Sequence, residues 1–262
     1  MWSYQHQLFT VHQLSALSDN YIYLIEAKDS DALAVVDPAD ASVVNQACAS
    51  LGKSLTHILN THHHWDHTDG NKALKQRWNC IVIGAADDTA RIPCIDIQVS
   101  EKTFPELEGL NIQVLSVSGH TLGHIAYVID DALFCGDTLF GAGCGRLFEG
   151  TPAQMWQSLQ KIAALPDDTQ VYCAHEYTLP NLRFARDVDT DNTILQQRIH
   201  DDTQTRMKKQ PTIPSSIGLE KATNPFLRPL DTVFIDTYAK AQHIDANALD
   251  VFTHLRQSKD RW

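Results

Sequence analysis

The sequence predicts an α/β fold, two sheets packed face to face with helices outside, followed by a C-terminal helical unit. Three observations carry this expectation. Short β-branched or aromatic runs interleave with helical stretches up to His175. Two strand doublets, residues 21–26 with 32–37 and 125–129 with 132–135, have connections short enough to force antiparallel pairing. Beyond His175 the apolar spacing turns helical, with few strand signals.

Taken in order, the chain opens with the 21–37 hairpin, whose polar turn covers residues 28–31. Ser42 then caps a helix ending near Gly52, residues 57–60 form a short buried strand, 68–78 a helix and 80–84 another strand. Strands follow at 112–117, 125–129 and 132–135. A helix over 152–164 starts at Pro152 behind a Thr151 cap, and the last strand of this region is 171–174. Helical spacing recurs at 179–188, 193–209, 231–243 and 245–257. The intervening stretch 212–224, bounded by Pro211, Pro214 and Pro225, reads as a loop. The domain boundary is placed at 175/176, an α/β domain before it and a helical domain after it.

The formal net charge of -11 disfavours nucleic acid and anionic membranes as partners. An anionic small substrate would therefore need a local basic patch. No apolar run reaches membrane-spanning length, and residues 1–10 carry no targeting pattern. The six scattered cysteines suit a reducing compartment, so a cytoplasmic location is expected; a monomer is the separate expectation for the assembly.

The segment Thr61-His62-His63-His64-Trp65-Asp66-His67 places an H-x-H-x-D-H pattern directly after a predicted strand. In extended backbone, residues two apart share a side, so His62 and His64 can grip one ion while His63 faces away. The turn into the next helix swings Asp66 and His67 toward a second ion. Four ligands cannot fill two coordination spheres. His120, Asp137 and His175, each following a predicted strand, complete the set. One histidine at a loop start commonly caps a helix, but this many ligand-type residues at strand ends point to a binuclear, catalytic metal site. Imidazole and carboxylate donors suit zinc, iron or manganese. His63 and His124 are expected to be structural.

With these residues in view, the chain resembles the metallo-β-lactamase superfamily, and within it the glyoxalase II (hydroxyacylglutathione hydrolase) family. The resemblance rests further on the run from Gly136-Asp137-Thr138 to Gly145-Arg146, on His175-Glu176-Tyr177-Thr178, on Asn224-Pro225-Phe226 and on the terminal Arg256 and Lys259. It implies an αββα sandwich over residues 1–175 and a substrate-binding helical domain over 176–262. By the resemblance, His62, His64 and His120 hold one metal, Asp66, His67 and His175 the other, and Asp137 bridges them. Two divalent ions, zinc foremost, are implied, with Asp66 and Asp137 orienting a metal-bridging hydroxide. The implied reaction is hydrolysis of S-D-lactoylglutathione and other 2-hydroxyacylglutathiones to glutathione and the 2-hydroxy acid, as in methylglyoxal detoxification. Arg146, Phe148, Tyr177, Arg256 and Lys259 fall at the substrate positions. Phe148 stands where several relatives have tyrosine, and Arg146 where some have lysine. The alternative within the superfamily is a glutathione persulfide dioxygenase with one iron, distinguished by oxygen consumption.

Overall fold

The structure is a computed structural model that describes residues 1–103 and 106–262. It divides into two compact units, residues 1–116 with 123–136, and residues 117–122 with 137–262.

The first unit contains β1 (Trp2–Gln5), β2 (Phe9–Ala16), β3 (Asn20–Ala27), β4 (Leu33–Val36), α1 (Ala41–Leu51), β5 (His57–Leu59), α2 (Trp65–Thr68), α3 (Asn71–Trp78), β6 (Ile81–Ala85) and β7 (Ile97–Val99). These strands form one sheet in sequence order, antiparallel from β1 to β4 and parallel from β4 to β7. A second, antiparallel set contains β8 (Glu106–Leu107), β9 (Leu110–Ser116), β10 (Ile125–Ile129) and β11 (Ala132–Gly136). Side-chain alternation explains the layering. On β3, Ile22 and Leu24 pack with Val44, Ala47 and Cys48 of α1 and Leu74 of α3. Tyr23, one residue out of phase, meets Phe134 of β11 with ring centroids 5.7 Å apart. Tyr127 of β10 donates its hydroxyl to the Asn60 carbonyl at 3.0 Å, so the two sheets face each other.

The doublets at 21–37 and 125–135 form as expected, but two strands precede the first. Polar side chains hide them in the sequence. On β2, Thr10, His12 and Gln13 are buried because β1 supplies their partners, with Tyr4 donating to Gln13 at 3.0 Å and Ser3 bonded to His12 at 2.8 Å. The cap of α1 is Asp40, not Ser42: the Asp40 carboxylate accepts the Ser42 amide at 2.7 Å. The helix expected over 68–78 is two, α2 and α3, separated at Gly70. There the Gly70 amide donates to the Pro38 carbonyl at 2.9 Å, and a Cβ would overlap that oxygen.

The second unit contains β12 (Leu139–Phe140), β13 (Gly143–Cys144), α4 (Pro152–Ala163), β14 (Gln170–Cys173), α5 (Thr178–Val188), α6 (Thr193–Met207), β15 (Ser215–Ser216), α7 (Ile217–Thr223), α8 (Thr232–Gln242) and α9 (Ala248–Arg261). Thr151 and Gln154 form the full capping box of α4. The stretch 212–224, expected as a loop, holds β15 and α7. The prolines bracket this short helix rather than exclude it, and Ser216 caps it by accepting the Leu219 amide. Phe184, Phe226, Phe252 and Trp156 form a chain of ring contacts 5.7 to 6.1 Å apart through α5, α9 and α4.

Within this unit, buried polar groups tie the helices to the β12–β13 hairpin. Arg198 and Glu220 pair at 2.6 Å with side chains 2% and 0% exposed. Glu220 also accepts the Ala142 amide at 2.9 Å, while Asn224 donates to the carbonyls of Phe140 at 3.2 Å and Gly143 at 2.9 Å. Burial of a charge pair is favourable only when its remaining valences are satisfied, as here.

Candidate metal centre

In the first unit, the parallel strands β4 and β5 deliver their carboxyl-terminal ends side by side. Asp37 follows β4, and Thr61 and His62 follow β5. The Asp37 carboxylate accepts three hydrogen bonds: from the Thr61 amide at 2.8 Å, the Thr61 hydroxyl at 2.7 Å and His67 Nδ1 at 3.0 Å. Because the Thr61 hydroxyl proton goes to Asp37, its oxygen is an acceptor for His62 Nδ1 at 3.1 Å. One buried carboxylate thus sets the tautomer of two histidines. Both rings donate through Nδ1 and keep a bare Nε2.

Those bare nitrogens face other ligand-type groups. His67 Nε2 lies 3.6 Å from Asp66 Oδ2, and His62 Nε2 lies 3.0 Å from His64 Nδ1. Asn20 fixes the Asp66 carboxylate by donating to it at 3.2 Å and to the Asp66 carbonyl at 3.1 Å. His63 is turned instead toward Asp88, 3.1 Å away, and Arg91, 3.2 Å away. His124 stacks on His62 with centroids 4.5 Å apart.

The second unit repeats the pattern. His120 Nδ1 is bonded to the Arg146 carbonyl oxygen at 2.8 Å, which can only accept, so His120 also presents a bare Nε2. That atom lies 3.3 Å from Asp137 Oδ2, and His175 Nε2 lies 3.3 Å from Asp137 Oδ1. One carboxylate therefore offers each of its oxygens to a different imidazole. An imidazole lone pair facing a carboxylate oxygen repels it unless a proton or cation lies between, and this donor set fits divalent ions. Gly145 permits the arrangement, since a Cβ there would overlap the Asp137 carbonyl oxygen.

The expected substrate residues all lie in the second unit. Phe148, 64% exposed, sits 5.1 Å from the His120 ring, and Tyr177 stacks on His175 at 4.8 Å. Arg146 is exposed. Arg256 is buried and engaged within the protein, donating to the Cys144 carbonyl at 3.0 Å and to Asp260 at 2.8 Å, with its guanidinium 4.9 Å over Phe226. Lys259 lies over Phe184 at 5.1 Å and Trp262 at 4.2 Å. Burial first, then the fields of Arg256, Arg183 and Arg146, push its amine down to about 8.

Sequence reasoning missed Asp37, Thr61, Asn20 and Arg183. Asp37 left a signal, a lone carboxylate ending an apolar strand just before Pro38; the others left none. The thiols serve the site only through hydrogen bonds, Cys173 donating to the His175 carbonyl at 3.6 Å and Cys144 accepting from Arg256 at 3.6 Å. All six cysteines are free, and burial pushes Cys80 up to about 11 and Cys173 up to about 12. Among the described residues, no helix is long and apolar enough to cross a membrane.

The metallo-beta-lactamase superfamily model matches residues 17–93 and 95–175, and the model described as the hydroxyacylglutathione hydrolase C-terminus matches residues 176–262. A protein named hydroxyacylglutathione hydrolase from a Shewanella species is 46% identical, covering 97% of this chain and 99% of its own. One of the same name from Rhodospirillum rubrum is 46% identical over 96% of this chain and 98% of its own. Among solved structures, ETHE1 from Myxococcus xanthus superimposes with a TM-score of 0.68 at 26% identity, covering 94% of this chain and 89% of that one.

Proposed function

Because the chain belongs to the hydroxyacylglutathione hydrolase family of the metallo-β-lactamase superfamily, we propose that it hydrolyses S-D-lactoylglutathione and related 2-hydroxyacylglutathiones to glutathione and the 2-hydroxy acid. The observation that carries this reading is Asp137, whose two oxygens each face an imidazole nitrogen at 3.3 Å. In this reading His62, His64 and His120 would hold one divalent ion, Asp66, His67 and His175 the other, and Asp137 would serve both. Zinc is the first expectation, with iron or manganese compatible with the same donors. Bound there, the two ions supply the Lewis acidity that makes water nucleophilic at neutral pH and polarises the thioester carbonyl.

The protein's own groups do the rest. Asp66, held by Asn20, and Asp137 orient the attacking water through their carboxylates. Asp37 keeps His62 and His67 in the ligating tautomer. Arg146 and Lys259 attract the two glutathione carboxylates, answering the repulsion expected from a net charge of -11. Arg256 supports that patch and holds the Cys144 carbonyl, and Phe148 and Tyr177 offer aromatic faces beside it. The glutathione thiol leaves as thiolate, since its pKa of about 8.5 demands no general acid. Residues 1–175 act as the catalytic domain and 176–262 as the substrate-binding domain of a monomer, and the absence of disulfides among the six cysteines supports a cytoplasmic location.

The test is direct. Purified protein should cleave S-D-lactoylglutathione, followed by loss of the thioester absorbance, and Asp137→Ala should abolish turnover while the far-ultraviolet dichroism is retained. Full activity in that variant would overturn the reading.

A further inference from the structure

His63 separates His62 from His64 in the chain, and its ring is closed into a cycle with Asp88 and Arg91. His63 Nδ1 lies 3.1 Å from Asp88 Oδ2, and His63 Nε2 lies 3.2 Å from Arg91 Nη1. Arg91 completes the cycle by donating to Asp88 Oδ1 through Nε at 2.9 Å and through Nη2. Arginine can only donate, so His63 Nε2 accepts, and the ring proton sits on Nδ1 and is given to Asp88. The Asp88 side chain is 0% exposed. It comes from the turn Ala86–Asp88 that follows β6, and Gly123 packs so closely on it that a Cβ there would overlap the carboxylate. A carboxylate this deeply buried and bonded through both oxygens is a fixed anchor.

The residues on either side of His63 are held by other groups. Asp37 accepts the Thr61 amide at 2.8 Å and the Thr61 hydroxyl at 2.7 Å. The His64 carbonyl accepts the Thr68 hydroxyl at 3.1 Å and the His67 amide at 3.0 Å. Between those two points the backbone has left β5 and is tied through the His63 side chain. Residues two apart in extended backbone share a side, and His62 Nε2 and His64 Nδ1 indeed lie 3.0 Å apart. Fixing His63 on one side therefore aims its two neighbours to the other. His62 is also set by Thr61 and Asp37, whereas the direction of His64 depends on His63.

We propose that Asp88 is a positioning residue for one of the two metal ions: through His63 it directs His64, and so sets the affinity for the ion assigned to His62, His64 and His120. The ion assigned to Asp66, His67 and His175 does not depend on it. Asp37, by contrast, orients His62 and His67 and so serves both ions. This role rests on the two-ion reading above. Direct partners of ligating histidines contribute about 10- to 100-fold in metal affinity, and Asp88 acts one residue removed, so an effect of about tenfold is expected.

The experiment measures zinc affinity of the full chain by competition with a chromophoric chelator. Two backgrounds separate the ions: His175→Ala keeps the set His62, His64 and His120 intact, and His64→Ala keeps Asp66, His67 and His175. Adding Asp88→Ala should weaken zinc binding about tenfold in the first background and by less than about twofold in the second. His63→Leu, which leaves the buried carboxylate in place, should reproduce that pattern, and the two changes together should be no worse than either alone. His63→Asn keeps an N–H for Asp88 and should restore affinity to within about threefold of its parent. Equal weakening in both backgrounds, as a merely structural role would give, overturns the proposal, and so does unchanged affinity in the first. Wild-type protein that binds fewer than two zinc ions would sink the two-ion reading, and the proposal with it.

Discussion

Replacing Asp37 by asparagine isolates the part of the centre that the fold builds into the first unit. The side chain keeps its shape and loses one acceptor. In the native protein both carboxylate oxygens accept, Oδ1 from the Thr61 amide at 2.8 Å and Oδ2 from the Thr61 hydroxyl at 2.7 Å and His67 Nδ1 at 3.0 Å. An amide NH2 in the first position opposes a backbone N–H that cannot turn away. In the second position it opposes His67 Nδ1, which then relaxes by moving its proton to Nε2, and the Thr61 hydroxyl, which must turn its proton toward His62. The clash with the fixed backbone N–H disfavours the first placement, and the second removes the unprotonated Nε2 that the native tautomers present. Outer partners of ligating histidines typically contribute about 10- to 100-fold in metal affinity, or roughly 1.4 to 2.8 kcal/mol. Two histidines depend on this one carboxylate, so the upper end of that range is expected. Metal affinity is read by competition with a chromophoric chelator, and the fold by urea unfolding of the same samples. Affinity within twofold of wild type would refute the tautomer argument.

Further outcomes follow from single contacts. Glu220→Ala leaves the buried Arg198 with Asp202, 3.2 Å from its Nε, as its remaining carboxylate partner and releases the Ala142 amide, so unfolding free energy should fall by about 1–3 kcal/mol; a loss under about 0.5 kcal/mol in urea would contradict it. Gly145→Ala forces a methyl onto the Asp137 carbonyl, for which about 1–3 kcal/mol of stability and a large part of the activity should be lost; unchanged kcat would show that the close approach is not needed. Lys259 is depressed to about 8, so its cation is present below that pH and lost above it. KM for a glutathione thioester should therefore rise as pH climbs through about 8, and Lys259→Arg should flatten that limb. For stability the sign is opposite: the unfolded chain binds the proton more tightly between about 8 and the ordinary lysine value, so this group favours the folded state increasingly as pH rises across that window. A KM independent of pH from 7 to 10 would count against the assignment.

The sequence made the chemistry legible where ligand types cluster in a way packing alone does not demand, at His62 to His67. It also showed the doublets and the α4 cap, whose local signals agree with the tertiary structure. It failed where partners come from afar. β1 and β2 are hidden because Thr10, His12 and Gln13 are buried polar residues that find partners across the strands, Gln13 through its Oε1 alone, and α7 is hidden by the prolines that bracket it. Asp37 lies 30 residues from the histidine it orients, a distance no local pattern bridges. Arg256 sits one helical turn from Lys259, yet one is buried on Cys144 and the other half-buried among rings. Helical spacing alone does not separate those two environments.

The most direct measurement is metal content and thioester turnover on one preparation. Two divalent ions per chain are predicted, together with hydrolysis of S-D-lactoylglutathione that vanishes on chelation and returns on adding zinc, iron or manganese. Undiminished turnover in metal-free protein, or a single iron per chain with oxygen uptake on glutathione persulfide, would contradict it.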